Sequence, residues 1–442
     1  MLLDMNVTCV GCGYVGLVAG TCLAEQGHKV LCVDSDVKKI NGLKRGTLPI
    51  YEPGLGEILD RNVKEGRQSF STSLAKGIQT GEVIFIAVGT PMGDGGEADV
   101  SAVLAVAREI GQSASGGREY KIVVIKSTVP VGTASRVARV IKSNQRRPRD
   151  FDVVSNPEFL REGTAVKDFL EPDRVIVGLD NPSPRLKKTM ETLYRGITDT
   201  EHPLLFTNTR SAELIKYASN AMLATRVSFM NEIAGLCENV GADVKEVARG
   251  VGLDSRIGPR FLEAGVGYGG SCLPKDVKAL AKIMRGHGLS PRIIETVDRV
   301  NEEQKLLPVK KIKTLLPTLK GKKIAIWGLA FKPGTDDMRE APSLAVIKEL
   351  QKAGASIRAF DPVAEARAKT LLKHVTFCND PYRTLTGCDA LIILTEWNEF
   401  RGLDKKKIKG LLKRPNVVDG RNVYDPGEMR RLGFNYLSIG RE

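Results

Sequence analysis

The chain of 442 residues is poor in aromatic side chains, at 5%, and holds only two tryptophans and four histidines. A surface that stacks nucleic-acid bases needs rings interleaved with its basic residues, so scarce aromatics argue against one. His28, His202, His287 and His374 stand far apart, which leaves no histidine-based metal cluster. A run of about 18 apolar residues is also missing, so no helix is expected to span a membrane. The opening residues pass straight into a strand and a glycine loop, so a signal peptide is not expected and the protein is assigned to the cytoplasm.

Paired cysteine motifs are missing too. The eight cysteines (9, 12, 22, 32, 237, 272, 378 and 388) are scattered, and Cys9 with Cys12 forms a lone CxxC astride the first glycine of a loop. Without a second pair, neither a zinc site nor a disulfide framework is predicted. Most of these cysteines read as reduced, small core residues. Negative charge is in short supply: 52 acids against 66 Lys and Arg give a net charge of +14. Basic runs fall at 142–149 (KSNQRRPR) and 404–414 (DKKKIKGLLKR), and with no nucleic-acid reader motif beside them they read as solvated faces. A diffuse positive field suits small anionic ligands such as nucleotides.

What is present reads as an α/β protein. The length accommodates two or three domains, each with its own core. Asn6–Val10 is a short apolar strand followed at once by Gly11-Cys12-Gly13-Tyr14-Val15-Gly16, then a helical pattern to Gly27, then the strand Lys29–Val33. Asp34 follows that strand, eighteen residues after Gly16. Strand, GxGxxG, helix, strand and acid together form a dinucleotide-binding signature, with the pyrophosphate on the helix N-terminus and the acid on the adenosine ribose. An acid there disfavours a 2′-phosphate, which predicts NAD over NADP, although Lys38 and Lys39 follow closely; Lys39 is grouped with the cofactor contacts.

Apolar strands recur at Val83–Val88, Ile122–Lys126, Asp152–Val154 and Arg174–Val177, with helical patterns between them. Three strand ends run into loops rich in polar groups: Gly89-Thr90-Pro91, Ser127–Gly132 containing Thr128, and Asn156–Gly163 containing Glu158, Phe159, Leu160 and Glu162. Ligands of doubly wound sheets gather at such ends, but helix capping accounts for Thr128 and Glu158 equally well. Ser211–Gly241 reads as one long helix, too apolar to be solvated all round and suited to an oligomer interface. It carries Lys216 and Asn220 four residues apart on one face.

The stretch Gly265–Asp276 (GVGYGGSCLPKD) brings four glycines, Tyr268 and Gly269 among its residues, to a single thiol, Cys272, just before a helix. A cysteine at a helix N-terminus with Lys275 close by sits where thiolate is favoured. Asp276 follows by one helical turn. Taken alone, the stretch reads either as a nucleophile loop or as a structural glycine loop. Near Thr318 a second unit begins: the strand Lys322–Trp327, a Gly328–Gly334 turn, a helix over Ser343–Ala353, and the strands Ile357–Phe360, Ala390–Leu394 and Val417-Val418. The expected architecture is two Rossmann-like, doubly wound parallel-sheet domains, at 1–208 and 309–442, joined by a long central helix and helical region at 209–308.

GCGYVG, STVPVGT, NPEFLREG, GYGGSCLPKD, GLAFKPGTDDMRE and DGRN occur in this order, and together they resemble the UDP-glucose/GDP-mannose dehydrogenase family across essentially the whole chain. Asp254–Ala264 resembles the UDP-glucose branch. Ser271 stands where the UDP-N-acetylmannosamine branch carries histidine, and the LPKD ending leaves the GDP-mannose branch open. The resemblance implies oxidation of a sugar C6 alcohol to an acid by two hydride transfers to NAD, with Cys272 forming a thiohemiacetal and then a thioester. It implies oxyanion stabilisation by Lys216 and Asn220, a water held by Asp276 and Thr128, and acid/base work by Glu158. It adds Thr90, Glu162 and Arg339 to the cofactor contacts. It groups Glu158, Phe159, Leu160, Lys216, Asn220, Arg256, Phe261, Tyr268, Gly269, Lys332 and Arg421 around a UDP-sugar. In the family the counterpart of Arg256 reaches a neighbouring subunit, so a homodimer or larger homo-oligomer is implied.

Overall fold

The structure is a computed structural model that describes residues 5–93, 95–113, 120–145 and 150–442. Arg146–Arg149 of the first basic run lie outside the described residues. The chain divides into two compact units, 1–218 and 219–442.

The first unit is built on eight strands: β1 (Asn6–Val10), β2 (Lys29–Val33), β3 (Gln68–Ser71), β4 (Val83–Ile86), β5 (Lys121–Ile125), β6 (Phe151–Ser155), β7 (Val175–Gly178) and β8 (Leu204–Thr207). They lie in the order β3-β2-β1-β4-β5-β6-β7-β8. The order leaves β1 in two directions, so the switch point falls between β1 and β4, where a crevice opens beyond the carboxyl ends of the strands. Every residue of β4 (VIFI) and β5 (KIVVI) is buried, which fits strands covered by helices on both faces. The strand β6 meets β7 through one antiparallel pair, Ser155 with Gly178, while β7 and β8 run parallel to each other. Sequence patterning does not reveal β3 (QSFS) or β8 (LLFT). Both lie at the sheet edges; the first has three polar residues of four, and the second is only partly buried.

The second unit carries six strands: β9 (Lys323–Trp327), β10 (Ser356–Phe360), β11 (Val375–Phe377), β12 (Ala390–Ile393), β13 (Asn416–Asp419) and β14 (Asn435–Leu437). Their order is β11-β10-β9-β12-β13-β14, and all the pairings are parallel. The edge strands β11 and β14 are three residues long, too short to show a period of two in the sequence. One side of this sheet is packed by Trp327, which is fully buried, stacks on Phe400 with ring centroids 5.1 Å apart, and donates its indole N–H to the Pro381 carbonyl at 3.0 Å. A buried ring with its one polar atom satisfied contributes burial without the penalty of an orphaned donor.

The long helix is observed over Thr209–Val240, 32 residues. Its start is fixed by two side chains of the first unit: Asp180 accepts from the Thr209 backbone N–H and hydroxyl, and Asn208 accepts from the Ser211 N–H at 2.8 Å. These satisfy donors that an uncapped helix would leave open. Among the described residues no helix is long and apolar enough to cross a membrane, and no group of three or more His, Cys, Asp or Glu is placed to hold a metal.

Candidate functional site

In the first unit, β1 delivers the chain to Gly13, which precedes the helix Tyr14–Glu25 and contributes no capping side chain. The first N–H groups of that helix are therefore left for a ligand. A Cβ at Gly16 would lie 1.9 Å from the Gly11 carbonyl oxygen, so only glycine lets the helix close on the loop this tightly. Asp34, just past β2, accepts from the Cys12 N–H at 2.8 Å, from the Asp36 N–H at 3.0 Å and from the Lys39 ammonium at 2.7 Å. Burial works to raise its carboxyl, but the Lys39 ammonium and the two backbone donors outweigh it and hold Asp34 below the usual carboxylate range. An open helix N-terminus and a fixed, ionised acid at the next strand end fit a dinucleotide.

Three further strand ends converge in the same unit. The Thr90 hydroxyl, after β4, donates to the Thr128 carbonyl at 2.8 Å, tying the loop after β4 to the loop after β5. The Tyr14 hydroxyl accepts from the Gly163 N–H at 2.9 Å, which anchors the loop after β6 to the start of the first helix; Val15 lies in that same first turn. Glu158 on this loop is buried and accepts from the Leu160 N–H at 2.7 Å, while its other oxygen meets the Lys216 ammonium at 3.0 Å. Lys216 also lies 5.3 Å from the centroid of Phe159, whose ring carries the Arg174 guanidinium at 3.6 Å. Glu162 sits half-buried farther along the loop. The helix Thr133–Asn144 after the Thr128 loop begins at Gly132 and receives no capping bond from Thr128. Glu158 bonds to its own loop and to Lys216. A buried lysine–carboxylate pair at the carboxyl ends of the strands is equipped both to stabilise a developing oxyanion and to exchange a proton.

In the second unit, Cys272 is the residue before the helix Leu273–Gly286 and is half-buried, whereas the seven other cysteines are buried. Its Sγ lies 3.5 Å from the Ser271 hydroxyl. One turn on, Asp276 is 1% exposed and is held from both sides: Asn220 donates to it at 2.6 Å and Lys275 at 2.5 Å. The lysine that the spacing sets near the thiol is thus paired with this carboxylate. The glycine loop leading to Cys272 is clamped by amide side chains. Asn301 accepts from the Tyr268 N–H at 2.8 Å and donates to its carbonyl at 3.1 Å, Asn231 accepts from the Gly265 N–H at 2.9 Å, and Gln304 donates to the Gly265 carbonyl at 2.6 Å. A Cβ at Gly269 would meet the Glu340 carbonyl oxygen at 2.4 Å, so the loop presses directly on the backbone of the GTDDMRE segment.

That segment and its neighbours gather several other predicted residues. Arg421 donates to the Leu394 carbonyl at 3.0 Å and the Phe331 carbonyl at 3.1 Å. Lys332 reaches over the Phe331 ring at 5.7 Å. Arg339 is locked on Asp337, with Nε at 2.9 Å and Nη2 at 2.7 Å. Phe261 holds a left-handed backbone, φ 62°, uncommon for a bulky residue. Arg256 is not brought to this group. Its side chain is 87% exposed and pairs with Asp254 at 2.7 Å.

Several residues that organise these loops carry no sequence signal. Glu52 is buried and accepts from the Gly163 N–H at 2.6 Å and the Ala165 N–H at 2.8 Å. Glu213 does the same for Gly132 at 2.5 Å and Ala134 at 2.8 Å. Asn231 and Asn301 act through side-chain amides on distant backbone. Each is a single polar residue whose partner lies far along the chain, and no local spacing announces it.

Three models of one family cover the chain in sequence: the NAD binding domain of the UDP-glucose/GDP-mannose dehydrogenase family at residues 5–198, its central domain at 210–303 and its UDP binding domain at 325–426. The chain is 48% identical over 439 residues to a UDP-glucose 6-dehydrogenase of Rhizobium meliloti (strain 1021), covering 99% of this chain and 100% of that one. It is 46% identical to the UDP-glucose 6-dehydrogenase TuaD of Bacillus subtilis (strain 168), covering 99% and 93%. A solved UDP-glucose dehydrogenase from Pyrobaculum islandicum superposes with a TM-score of 0.92 at 37% identity, covering 99% and 98%. The chain belongs to the UDP-glucose/GDP-mannose dehydrogenase family and is an NAD-dependent oxidoreductase.

Proposed function

We propose that this enzyme oxidises C6 of UDP-glucose from alcohol to carboxylate, giving UDP-glucuronate, with Cys272 as the covalent nucleophile. The observation that carries the reading is full-length identity of 48% to a UDP-glucose 6-dehydrogenase, in a chain whose one incompletely buried cysteine sits at a helix N-terminus one turn before a buried, doubly held aspartate. The hydride acceptor in each of the two oxidations is NAD, held by Gly11, Gly13, Tyr14, Val15, Gly16, Asp34 and Lys39 with Thr90, Thr128, Glu162 and Arg339.

In the first oxidation the C6 hydroxyl loses its proton to a water held by Asp276 and Thr128, while Lys216 and Asn220 stabilise the oxygen as it becomes a carbonyl. The Cys272 thiolate then adds to the aldehyde carbon, forming a C–S bond and an alkoxide that Lys216 stabilises. Addition is needed because an aldehyde carbon offers no second hydride until it is tetrahedral. Loss of that hydride leaves a thioester. Water, with Glu158 as base, adds to the thioester carbonyl, the C–S bond breaks, and the carboxylate leaves. Altogether one alcohol and one water yield one carboxylate and two reduced cofactors, with three protons released. Phe159, Leu160, Phe261, Tyr268, Gly269, Lys332 and Arg421 hold the UDP-sugar. On this reading residues 1–208 serve the cofactor, 209–308 carry the nucleophile and 309–442 serve the UDP-sugar.

We further read the enzyme as a cytoplasmic homo-oligomer. Met222, Phe229 and Leu236 follow one another at sevens along the long helix and are 62%, 53% and 57% exposed, an apolar stripe suited to a second copy of the chain. Arg256, exposed on its loop beside Asp254, then serves the neighbouring subunit. The test of substrate is a panel of UDP-glucose, UDP-galactose, UDP-N-acetylhexosamines and GDP-mannose, with NADH followed at saturating NAD. UDP-glucose is expected to give the highest kcat/KM, and a higher value for GDP-mannose overturns the assignment.

A further inference from the structure

Lys126 directly follows β5 and is 5% exposed, a rare place for an ammonium group. Its Nζ donates to Asn156 Oδ1 at 3.1 Å, and the Tyr194 hydroxyl donates to the same oxygen. The Asn156 amide is fixed in turn by donating to the Ile176 carbonyl at 2.7 Å. The rings of Phe169 and Tyr194 face the ammonium, with centroids 5.8 Å and 5.9 Å away. Asn156 opens the loop that carries Glu158, and Lys126 opens the loop that carries Thr128. One buried hydrogen bond thus joins the two loops at their roots, inside the first unit.

We propose that Lys126 is a positioning residue for the Glu158–Lys216 pair: its ammonium, held by Asn156, adds a second buried positive charge beside Glu158 and fixes the Glu158 loop to the Thr128 loop. The inference rests on the reading of Glu158 and Lys216 as catalytic given above. A buried carboxylate with one ammonium is a neutral pair. With two, the cluster is net positive, and it favours an oxyanion on the substrate before the reaction creates one. Four elements present titratable or charged groups to Lys126: Glu158 on the loop after β6, Lys216 on the long helix, Cys9 on β1 and Tyr194 at the end of the helix Pro184–Tyr194. Burial pushes the Lys126 ammonium down to about 8, with Glu158 and Cys9 opposing and Lys216 reinforcing the fall. The cluster therefore carries its extra charge below about pH 8 and loses it above.

The experiment measures kcat at saturating UDP-glucose and NAD from about pH 6 to about pH 10 for the wild type, Lys126→Arg, Lys126→Met and Lys216→Ala, with thermal unfolding of each. Wild-type kcat is expected to fall above about pH 8. An arginine stays charged throughout, so Lys126→Arg is expected to move that fall upward by at least about one pH unit, with a plateau within about five-fold of the wild type. Lys126→Met is expected to lose at least about ten-fold in kcat across the range, without a matching rise in KM for NAD. If Lys126→Met does not fold, the shift in Lys126→Arg alone decides the matter. A fall at the same pH in Lys126→Arg and the wild type, or no fall in the wild type, overturns the inference. So does wild-type kcat in Lys126→Met. A Lys216→Ala variant with wild-type kcat defeats the catalytic reading of the pair itself, whereas an inactive Lys216→Ala beside unaltered Lys126 variants defeats only the present inference.

Discussion

Glu213 offers a perturbation whose size follows from its surroundings. It projects from the second turn of the long helix, is 2% exposed, and accepts from the backbone N–H groups of Gly132 and Ala134 at the start of the helix Thr133–Asn144. Burial raises its carboxyl most strongly; the two N–H groups and Arg210 pull it down, Asp180 pushes it up, and the balance takes it from 4.5 to about 7. A carboxyl raised on folding stabilises the fold fully below its unfolded value, and the gain is lost as pH rises through about 7. At about 1.4 kcal/mol per unit, the wild type should lose about 2–3 kcal/mol from this group between pH 5 and pH 8. Glu213→Gln keeps the shape and an oxygen acceptor but does not titrate. The stability difference, variant minus wild type, should therefore rise by that amount across the interval. Denaturant unfolding of both proteins at the two pH values, with equal m-values, measures it. A difference that stays constant within about 0.5 kcal/mol refutes the claim that the buried carboxyl carries this penalty.

Asp34→Ala should raise KM for NAD at least about ten-fold while improving relative use of NADP, because it removes a ribose contact and frees the Lys39 ammonium now 2.7 Å away. Steady-state kinetics with both cofactors measures this, and an unchanged preference contradicts the role of Asp34. Phe229→Glu combined with Leu236→Glu should shift sedimentation toward the monomer, because two charges then interrupt the exposed stripe. Unchanged sedimentation of the folded variant at micromolar protein would remove that stripe as the interface.

Much of this was legible in the sequence because its carriers are local. The Gly11–Gly16 loop, Asp34 at the end of the next strand, and the 32-residue helix are contiguous patterns, and each lies where periodicity and spacing place it. The motif order also identified the family. What was not legible is held by contacts far apart in the chain. Glu52 reaches Gly163, Glu213 reaches Gly132, and Asn301 reaches Tyr268, and each is a lone polar residue until folding supplies its partner. The strands β3, β8, β11 and β14 escaped for a different reason. They are edge or near-edge strands of three or four residues, too short or too polar for their period to stand out. Lys275 shows the limit of spacing as a guide to charge: it lies near Cys272 in the sequence, yet its ammonium is paired with Asp276.

The central claim is that Cys272 forms a covalent bond with the aldehyde, and counting reduced cofactor per sugar tests it most directly. Wild-type enzyme with limiting UDP-glucose should form two NADH per sugar. Cys272→Ser should bind UDP-glucose and NAD nearly as well and still complete the first oxidation. A serine hydroxyl has a far higher pKa than a thiol and adds poorly to the aldehyde, so this variant should stall after the first oxidation, near one NADH per sugar. Cys272→Ala should form no adduct and lose turnover by at least about a thousand-fold. A Cys272→Ala enzyme that still yields two NADH per sugar at near the wild-type rate contradicts the account, and leaves Gly265–Asp276 as a structural glycine loop.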